Sequence, residues 1–304
     1  MSATAGANAR APGGELPVWR TCLVHMRLAF SLFLLPVFLL DVCAFVGRLT
    51  WPVVVLGVLI HVFLYTGSNA YNSYYDEDEG PIGGLEKPPQ VVAALLPFSV
   101  GLKVVSVLGS FWVDAWVGVL MLAFALMSAA YSYPGTRWKG RPFASLATVF
   151  GGQGLIVGLI AARLGGVPLG AWSVAETGIV LGTSLTILGF YLFSHSYQGD
   201  EDRERGDRTF TVVYGAPASV AWGIRLQAAG FGVLFAGLTG SAVVAVVVPI
   251  AAALAASAAI PRAQAELLAG DVIATFRRLM KLNWLVSSAL NGGALVYLAY
   301  HSLG

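Results

Sequence analysis

Apolar runs of about twenty residues recur along this chain, and no other feature restricts its fold as much. A membrane-crossing helix needs roughly 20 consecutive apolar residues. Nine runs meet that length: 28–47, 52–71, 91–112, 115–133, 143–163, 177–197, 215–237, 241–260 and 283–302. The rest of the composition agrees. The chain is 57% hydrophobic and 11% charged, whereas a soluble domain carries about 25% charged residues. Too little polar surface exists to face water all round, so the bilayer is the expected solvent. The net charge of +2 is too small to argue for nucleic acid.

Lys and Arg positions set the orientation. With the N-terminus in the cytoplasm, the cytoplasmic segments hold Arg10, Arg20 and Arg27, then Lys87, then Arg137, Lys139 and Arg141. Further on they hold Arg203, Arg205 and Arg208, then Arg262, Arg277, Arg278 and Lys281. The opposite side holds only Arg48 and Arg163, while Lys103 and Arg225 fall inside runs. Residues 1–20 read as a polar, disordered tail and 21–304 as one transmembrane domain. The first apolar run is too long for the core of a cleavable signal. Cys22 and Cys43 both lie in or beside that run; a bond between them would staple one helix to itself, so both read as free thiols. Residues 263–282 read as an amphipathic surface helix, with Phe276, Leu279 and Met280 facing lipid or the bundle.

Two acidic segments break the apolar pattern on the cytoplasmic side. The first runs from Gly67 to Gln90, where Asn69, Asn72 and Asp76 recur at helical spacing at the end of the second run. Asp78 and Glu79 follow, where Gly80 and Pro81 stop the helix. The second runs from His195 to Val212, with Gln198 and Asp202 four apart and Asp200, Glu201 and Asp207 close by. Clustered carboxylates repel one another and make sense around a cation. Oxygen ligands of this kind suit Mg²⁺, which binds through one or two carboxylates and substrate phosphates. Two such clusters facing one cavity could hold two or three Mg²⁺ bridged by a diphosphate. Arg137, Lys139 and Arg141 follow the fourth run, either to hold that diphosphate or only to fix topology. Gly151, Gly152, Gly154 and Gly158 allow close packing or leave room for a lipid tail. His195 either positions an acceptor or is a hydrogen-bonded structural residue, and His61 invites the same weighing.

These residues resemble the UbiA-type superfamily of intramembrane prenyltransferases. Its members have nine transmembrane helices and two aspartate-rich motifs at the cytoplasmic ends of helices two and six. The first family motif, N-D-x-x-D-x-x-x-D, falls on NSYYDEDEG from Asn72 to Gly80. Asn72 and Asp76 match, while Ser73 and Gly80 stand where Asp is usual. Lys87-Pro88 sits where the family has a basic-Pro pair. The second motif, D-x-x-x-D and then Gly and a basic-Thr-Leu run, falls on QGDEDRERGDRTF from Gln198 to Phe210. Gln198 takes the first Asp position; Asp202, Gly206, Arg208 and Thr209 fit. YSYPGTRWK, Tyr131 to Lys139, is similar to the chlorophyll-synthase and quinone-synthesis branches.

The resemblance implies an all-α membrane protein, a nine-transmembrane-helix bundle with a central cavity opening near the two motifs. It implies a Mg²⁺-dependent transfer of a polyprenyl group from a prenyl diphosphate to a hydrophobic acceptor. The acceptor classes are aromatic, quinone-precursor or lipid. Asn72, Asp76, Gln198 and Asp202 would hold the metal, with Asp78 and Asp200 beside them. Lys87, Arg137, Lys139 and Arg208 would bind diphosphate, and Tyr75, Tyr131 and Tyr197 would face the prenyl group. Asn72, Asp76, Asp202 and Lys139 would carry the chemistry. The expected location is the cytoplasmic membrane of a bacterium, and no protein partner is expected. Rival readings are a terpene cyclase on the same scaffold, a non-catalytic isoprenoid-binding relative, and a transporter. Products formed without acceptor separate the first, and Mg²⁺-dependent diphosphate release separates the second. Against the third, the acids cluster at one face, with no inverted repeat evident.

Overall fold

The computed structural model describes residues 16–238 and 269–303. Among the described residues every regular element is a helix, and a single isolated bridge joins Ile82 and Leu85. Seven helices are long and apolar enough to cross a membrane. They are α1 (Val18–Phe45), α2 (Trp51–Asp76), α3 (Leu95–Val113), α4 (Ala115–Ser132), α5 (Pro142–Leu164), α6 (Val174–His195) and, after two short helices, α9 (Ala216–Leu238). The short ones are α7 (Gly199–Glu204) and α8 (Phe210–Tyr214). The expected span 241–260 lies outside the described residues.

Local sequence explains where these helices start and stop. Pro52 and Pro142 stand in the first turns of α2 and α5, where a missing N–H costs nothing. Asp114 caps α4 by accepting from the N–H groups of Trp116 and Val117. Ser173 and Glu176 form a reciprocal capping box on α6. Glu77 ends α2 in the left-handed region (φ 50°). α1 is interrupted at Arg27, itself at φ 49°. It begins at Val18, so Val18 to Arg20, assigned to the tail by sequence, are helical.

The last expected span belongs to α10 (Val272–Leu303), a single helix of 32 residues. At 1.5 Å per residue it is about 48 Å long, longer than a hydrocarbon core of about 30 Å. The described part of the expected surface helix, from Val272, is therefore its first turns. Phe276, Leu279 and Met280 are buried, so these turns face the bundle. Neither Lys103 nor Arg225 lines the cavity: Lys103 lies 3.9 Å from the centroid of the Tyr71 ring, and exposed Arg225 lies over Trp222. Cys22 and Cys43 are free.

α6 lies at the centre of the bundle, packed along α9 and against α5 and α1. The contact with α9 depends on glycine. A Cβ at Gly182 would meet the carbonyl oxygen of Gly230 at 2.8 Å, and one at Gly189 would meet that of Gly223 at 2.7 Å. Small residues at such positions let two helix backbones approach where lipid gives no hydrophobic drive. α5 approaches α6 in the same way, a Cβ at Gly154 colliding with Ser184. Residues 149–156 of α5 and 59–64 of α2 wind as π-helix. Such local widening is frequent at functional sites, and Tyr65, Val149 and Gln153 at these stretches line the cavity described next. His61 is structural: its Nδ1 sits 3.2 Å from the Ser31 carbonyl, and the Ser31 hydroxyl donates to its own carbonyl.

Candidate active site

The two acidic segments meet at one end of the bundle. On the last turns of α2, Asn69, Asn72 and Asp76 share a face. The Asn72 amide donates to Asp76 Oδ2 (2.6 Å) and to the Ser132 hydroxyl at the end of α4 (3.3 Å). Arg27, from the break in α1, donates to the Asn69 carbonyl (2.8 Å) and to Asn72 Oδ1 (3.5 Å). The turn at Glu77 then brings Asp78 back towards the second segment.

Every acid turned inward in this cluster meets a cation or a donor from another element. Lys139 Nζ lies 2.5 Å from Asp76 Oδ2, both side chains nearly fully buried. Arg137 grips Asp207 with two parallel bonds (2.6 and 2.7 Å) and reaches Asp76 at 3.4 Å. Bidentate pairing of this kind fixes geometry as well as charge, and it holds Arg137 in its left-handed conformation (φ 38°). Gly140 makes room, since a Cβ there would meet Asp207 Oδ1 at 2.6 Å. Arg205 bridges the two segments, donating to Asp78 (2.5 Å) and to Asp202 (2.8 Å). Glu201 accepts from the Gly80 N–H (2.6 Å) and fills the space a side chain at position 80 would take.

Electrostatics follow from these contacts. The bond from Asp207 holds the Arg137 guanidinium above its usual range. Burial alone would raise the Asp202 carboxyl, but the His195 ring facing it, the Lys139 charge and the bond from Arg205 carry it well below the usual carboxylate range. Glu201 is pushed up by burial and by Asp78, against the Gly80 bond and the Arg205 charge. A carboxyl raised in the folded state binds its proton more tightly there than in the unfolded chain. Stability therefore falls as pH rises from the ordinary value of 4.5 through the folded one. In metal-free protein, Glu201→Gln should remove that part of the fall. Thermal midpoints of the two proteins in EDTA should diverge as pH increases from 4.5 to 8, the variant higher; a gap that does not change with pH would count against the burial of this charge.

Below the ion pairs lies a cavity of about 160 Å³. Its polar rim includes Asn72, Asp76, Asp78, Lys139, Gln198 and Arg205, and its deeper wall includes Phe30, Phe33, Phe124, Ile187 and Phe190. Between rim and wall, the Tyr131 hydroxyl donates to Tyr191 (3.1 Å) and sits 3.4 Å from His195 Nε2. His195 Nδ1 is 3.9 Å from Asp202 Oδ2.

Most residues expected at the site converge. Asn72, Asp76, Asp78, Lys139, Gln198 and Tyr131 line the cavity, and Asp202 and Arg137 lie directly behind them. Five do not converge. Asp200 is 91% exposed at its side chain and pairs with Arg203 at the surface. Lys87 is exposed in the loop after α2. Arg208 is exposed too, and only its backbone N–H is engaged, with the Gly140 carbonyl. Tyr75 packs among Tyr71, Tyr74 and Tyr133. Tyr197 is buried edge-on to Phe276, its hydroxyl unpartnered. Arg27 and Arg205 are the residues the sequence reading left to topology alone.

The donor set can be tested against Mg²⁺. Among the described residues no three His, Cys, Asp or Glu side chains gather as a ready ligand set. Two buried carboxylate oxygens, Asp202 Oδ2 and Glu201 Oε2, have no hydrogen-bond partner. An ion that takes one or two carboxylates and completes its shell with phosphate oxygens and water fits that arrangement.

A model of the UbiA prenyltransferase family matches residues 33–283. No curated protein matches the sequence. Among solved structures, a UbiA homologue from Archaeoglobus fulgidus bound to DMAPP and Mg²⁺ is 16% identical with a TM-score of 0.62, covering 92% of this chain and 99% of its own. The same homologue bound to GPP and Mg²⁺ is 15% identical with the same score and the same coverage of both chains. A UbiA homologue from Aeropyrum pernix K1, in its apo form, is 20% identical with a TM-score of 0.65, covering 88% of this chain and 98% of its own. At these identities the likeness is one of fold.

Proposed function

This chain belongs to the UbiA prenyltransferase family, and from that premise we propose that it transfers a prenyl group from a prenyl diphosphate, with Mg²⁺, to a hydrophobic acceptor inside the membrane. The observation that carries this reading is the junction at Lys139 and Arg205. Basic side chains from two different loops stand at the mouth of an aromatic cavity, among carboxylates with unpartnered oxygens. Prenyl diphosphates (GPP, DMAPP) and Mg²⁺ in the Archaeoglobus homologue support it.

Asp76, Asp78, Asp202 and Glu201 are the residues that would hold Mg²⁺. When bound, it draws negative charge from the phosphoryl oxygens. Lys139, Arg205 and Arg27 bind the diphosphate. As the C–O bond breaks, charge grows on the bridging oxygen, and preorganised cations stabilise that charge at no reorganisation cost. The allylic cation left behind faces Phe30, Phe124, Phe190 and Tyr191. A desolvated cation over an aromatic face gains about 2 kcal/mol, and the apolar wall keeps out water that would quench it. The acceptor attacks the cation and loses a proton.

The acceptor is an aromatic ring, a quinone precursor or a lipid. The seven spans among the described residues, with the expected spans 241–260 and 283–302, would make a bundle of nine transmembrane helices in one domain, with the N-terminus and the site on the cytoplasmic side. The Lys and Arg distribution supports that orientation.

The test uses purified protein in nanodiscs with geranyl or geranylgeranyl diphosphate, an acceptor panel, and Mg²⁺ or EDTA. Diphosphate release and prenylated product that both require Mg²⁺, and that disappear in Asp202→Ala, are expected. Cyclised product without acceptor would replace transfer by cyclisation. No release and no Mg²⁺-dependent binding of a non-hydrolysable prenyl diphosphate would sink the reading.

A further inference from the structure

We propose that Asn283 holds the acceptor by a hydroxyl group, and that the acceptor is a neutral hydroquinone-type ring, not an aromatic acid. The proposal rests on the prenyl-transfer reading above and narrows its acceptor.

Position comes first. Asn283 stands on α10, lines the cavity and is 5% exposed. Two bonds of 2.8 Å from Arg277 to Glu86 tie the start of α10 to the loop after α2, at the acidic end of the bundle. One turn beyond Asn283, the Ser287 hydroxyl donates to the Phe33 carbonyl of α1 (3.2 Å). Asn283 therefore lies about one turn nearer the acidic end than Phe33, level with Phe30. Arg27 is less than one turn away along α1. The first carbon of a prenyl diphosphate held by Arg27 falls at this level, between the ion pairs and the aromatic wall.

The Asn283 amide has hydrogen-bonding capacity to spare. Its Oδ1 is buried without a partner, and a buried carbonyl left so costs free energy. Hydroxyls elsewhere on the lining are already spent. Ser68 donates to the Leu64 carbonyl, Ser128 to that of Ala125 and Thr148 to that of Ala144. A prenyl chain has no polar atom to offer Asn283. A half-turn about the last side-chain bond exchanges the two ends of the amide, and a hydroxyl serves either end because it both donates and accepts. The neighbours are flat rings: Phe30 and Phe33 share the lining, and Phe33 meets Trp284 edge-on at 5.1 Å. Aromatic walls around a precisely placed polar group suit a ring that carries a hydroxyl.

Charge separates neutral rings from acidic ones. Arg27, Lys139 and Arg205 are the Lys and Arg side chains on the described lining. Lys139 faces Asp76, Arg205 faces Asp78, and Arg27 is held by Asn69 and Asn72. His195, also on the lining, faces Asp202. The same three cations are the ones that meet the diphosphate. An acceptor carboxylate would compete with it for them, or enter the aromatic part of the cavity unpaired, which is expensive. A neutral ring avoids both. The step then balances with no further reagent. The prenyl C–O bond breaks, its electron pair leaving with the diphosphate. A C–C bond forms from the ring carbon beside the hydroxyl, and the proton of that carbon passes to the released diphosphate. Asn283 fixes which ring carbon faces the cation.

The test gives the full chain in nanodiscs geranyl diphosphate and Mg²⁺ under argon, with hydroquinone or 1,4-naphthalenediol, each beside the same ring bearing a carboxylate. In the wild type, kcat/KM for the neutral ring should exceed that for its acid by about 10-fold or more. Asn283→Leu should raise KM for the neutral ring by about 10- to 100-fold and leave KM for geranyl diphosphate unchanged. Its thermal midpoint without substrate should not fall, because the oxygen removed had no partner. Preference for the acids would overturn the proposal. So would a KM change on geranyl diphosphate instead of the ring, or a lowered midpoint with equal loss on both substrates. Turnover of neither ring while another acceptor is prenylated would overturn it too. The wild-type preference stands by itself should the variant fail to fold. No diphosphate release with any acceptor, and no Mg²⁺-dependent binding of geranyl S-thiolodiphosphate, would overturn the transfer reading and this proposal with it.

Discussion

Asp76→Asn should lower prenyl transfer by about 10³-fold, the scale seen when one preorganised charge-stabilising group is removed from an active site. Asp76 joins the end of α2 to the loop after α4. It is the end of α2, it accepts from Asn72, and it anchors Lys139 at 2.5 Å and Arg137 at 3.4 Å. Losing its charge frees Lys139 to move away from the diphosphate and removes a candidate ligand of the metal. The same substitution leaves a buried ammonium without its main partner, Asp207 being 3.8 Å away. Breaking a buried pair from one side costs about 3–5 kcal/mol. A dead variant could therefore be merely an unstable one. Asp76→Asn with Lys139→Met separates the two effects. The double variant removes both charges and should regain most of the thermal midpoint lost by the single one, while activity stays at the floor. Recovery of activity along with stability would show that Asp76 is a structural residue only.

Much of this arrangement is legible in the chain. Apolar runs longer than any soluble core helix needs leave few choices, so α1 to α6 and α9 stand close to where hydropathy puts them. The spacing of Asn69, Asn72 and Asp76 gives their common face, and the Pro-Gly stop after α4 puts Lys139 in the adjacent loop. Asp200 shows where motif reading needs helix geometry. It lies two residues, about 200° of helix, from Asp202, so the two cannot face the same cleft. Tyr75 fails for a similar reason, being one residue and about 100° from Asp76. Tyr197 follows the end of α6, where helix phase no longer applies.

Arg27 and Arg205 were hidden for another reason. A basic residue at the end of a membrane span is what topology requires in any case, so its presence carries no signal of its own. Only the tertiary fold shows that α1 breaks at Arg27 and turns its guanidinium to Asn72, or that Arg205 crosses from one acidic segment to the other. Glu201 is equally a product of the fold. Gly80 reads as a lost carboxylate in sequence and as a vacated space filled from α7 in structure.

The largest effect on the fold should come from Gly230→Leu. Glycines at 223, 230 and 237 recur every seven residues on α9 and face Gly189, Gly182 and the Ala175 carbonyl of α6. A Cβ at 230 would meet Thr186 Oγ1 at 2.5 Å, and the Gly182 carbonyl and the Thr186 nitrogen at 2.8 Å. Two of those three atoms are backbone, so relief requires one whole helix to move. Overpacking a dense contact usually costs about 1–3 kcal/mol; displacing a helix pair places this substitution among the exceptional cases above about 4 kcal/mol. α6 also carries Tyr191 and His195 and leads directly to Gln198 and Asp202, so any shift that accommodates the leucine misplaces the site. The expected result is little monodisperse protein on size exclusion, and no activity in what survives. Gly232→Leu is the matched control. It changes the same helix by the same side chain two residues away, where a Cβ meets nothing within 4 Å. Its thermal midpoint and transfer rate should stay near wild type, because a leucine facing open space displaces no backbone. Equal damage from both would mean that α9 tolerates no added bulk anywhere, and that the α6–α9 approach has no special part in shaping the site.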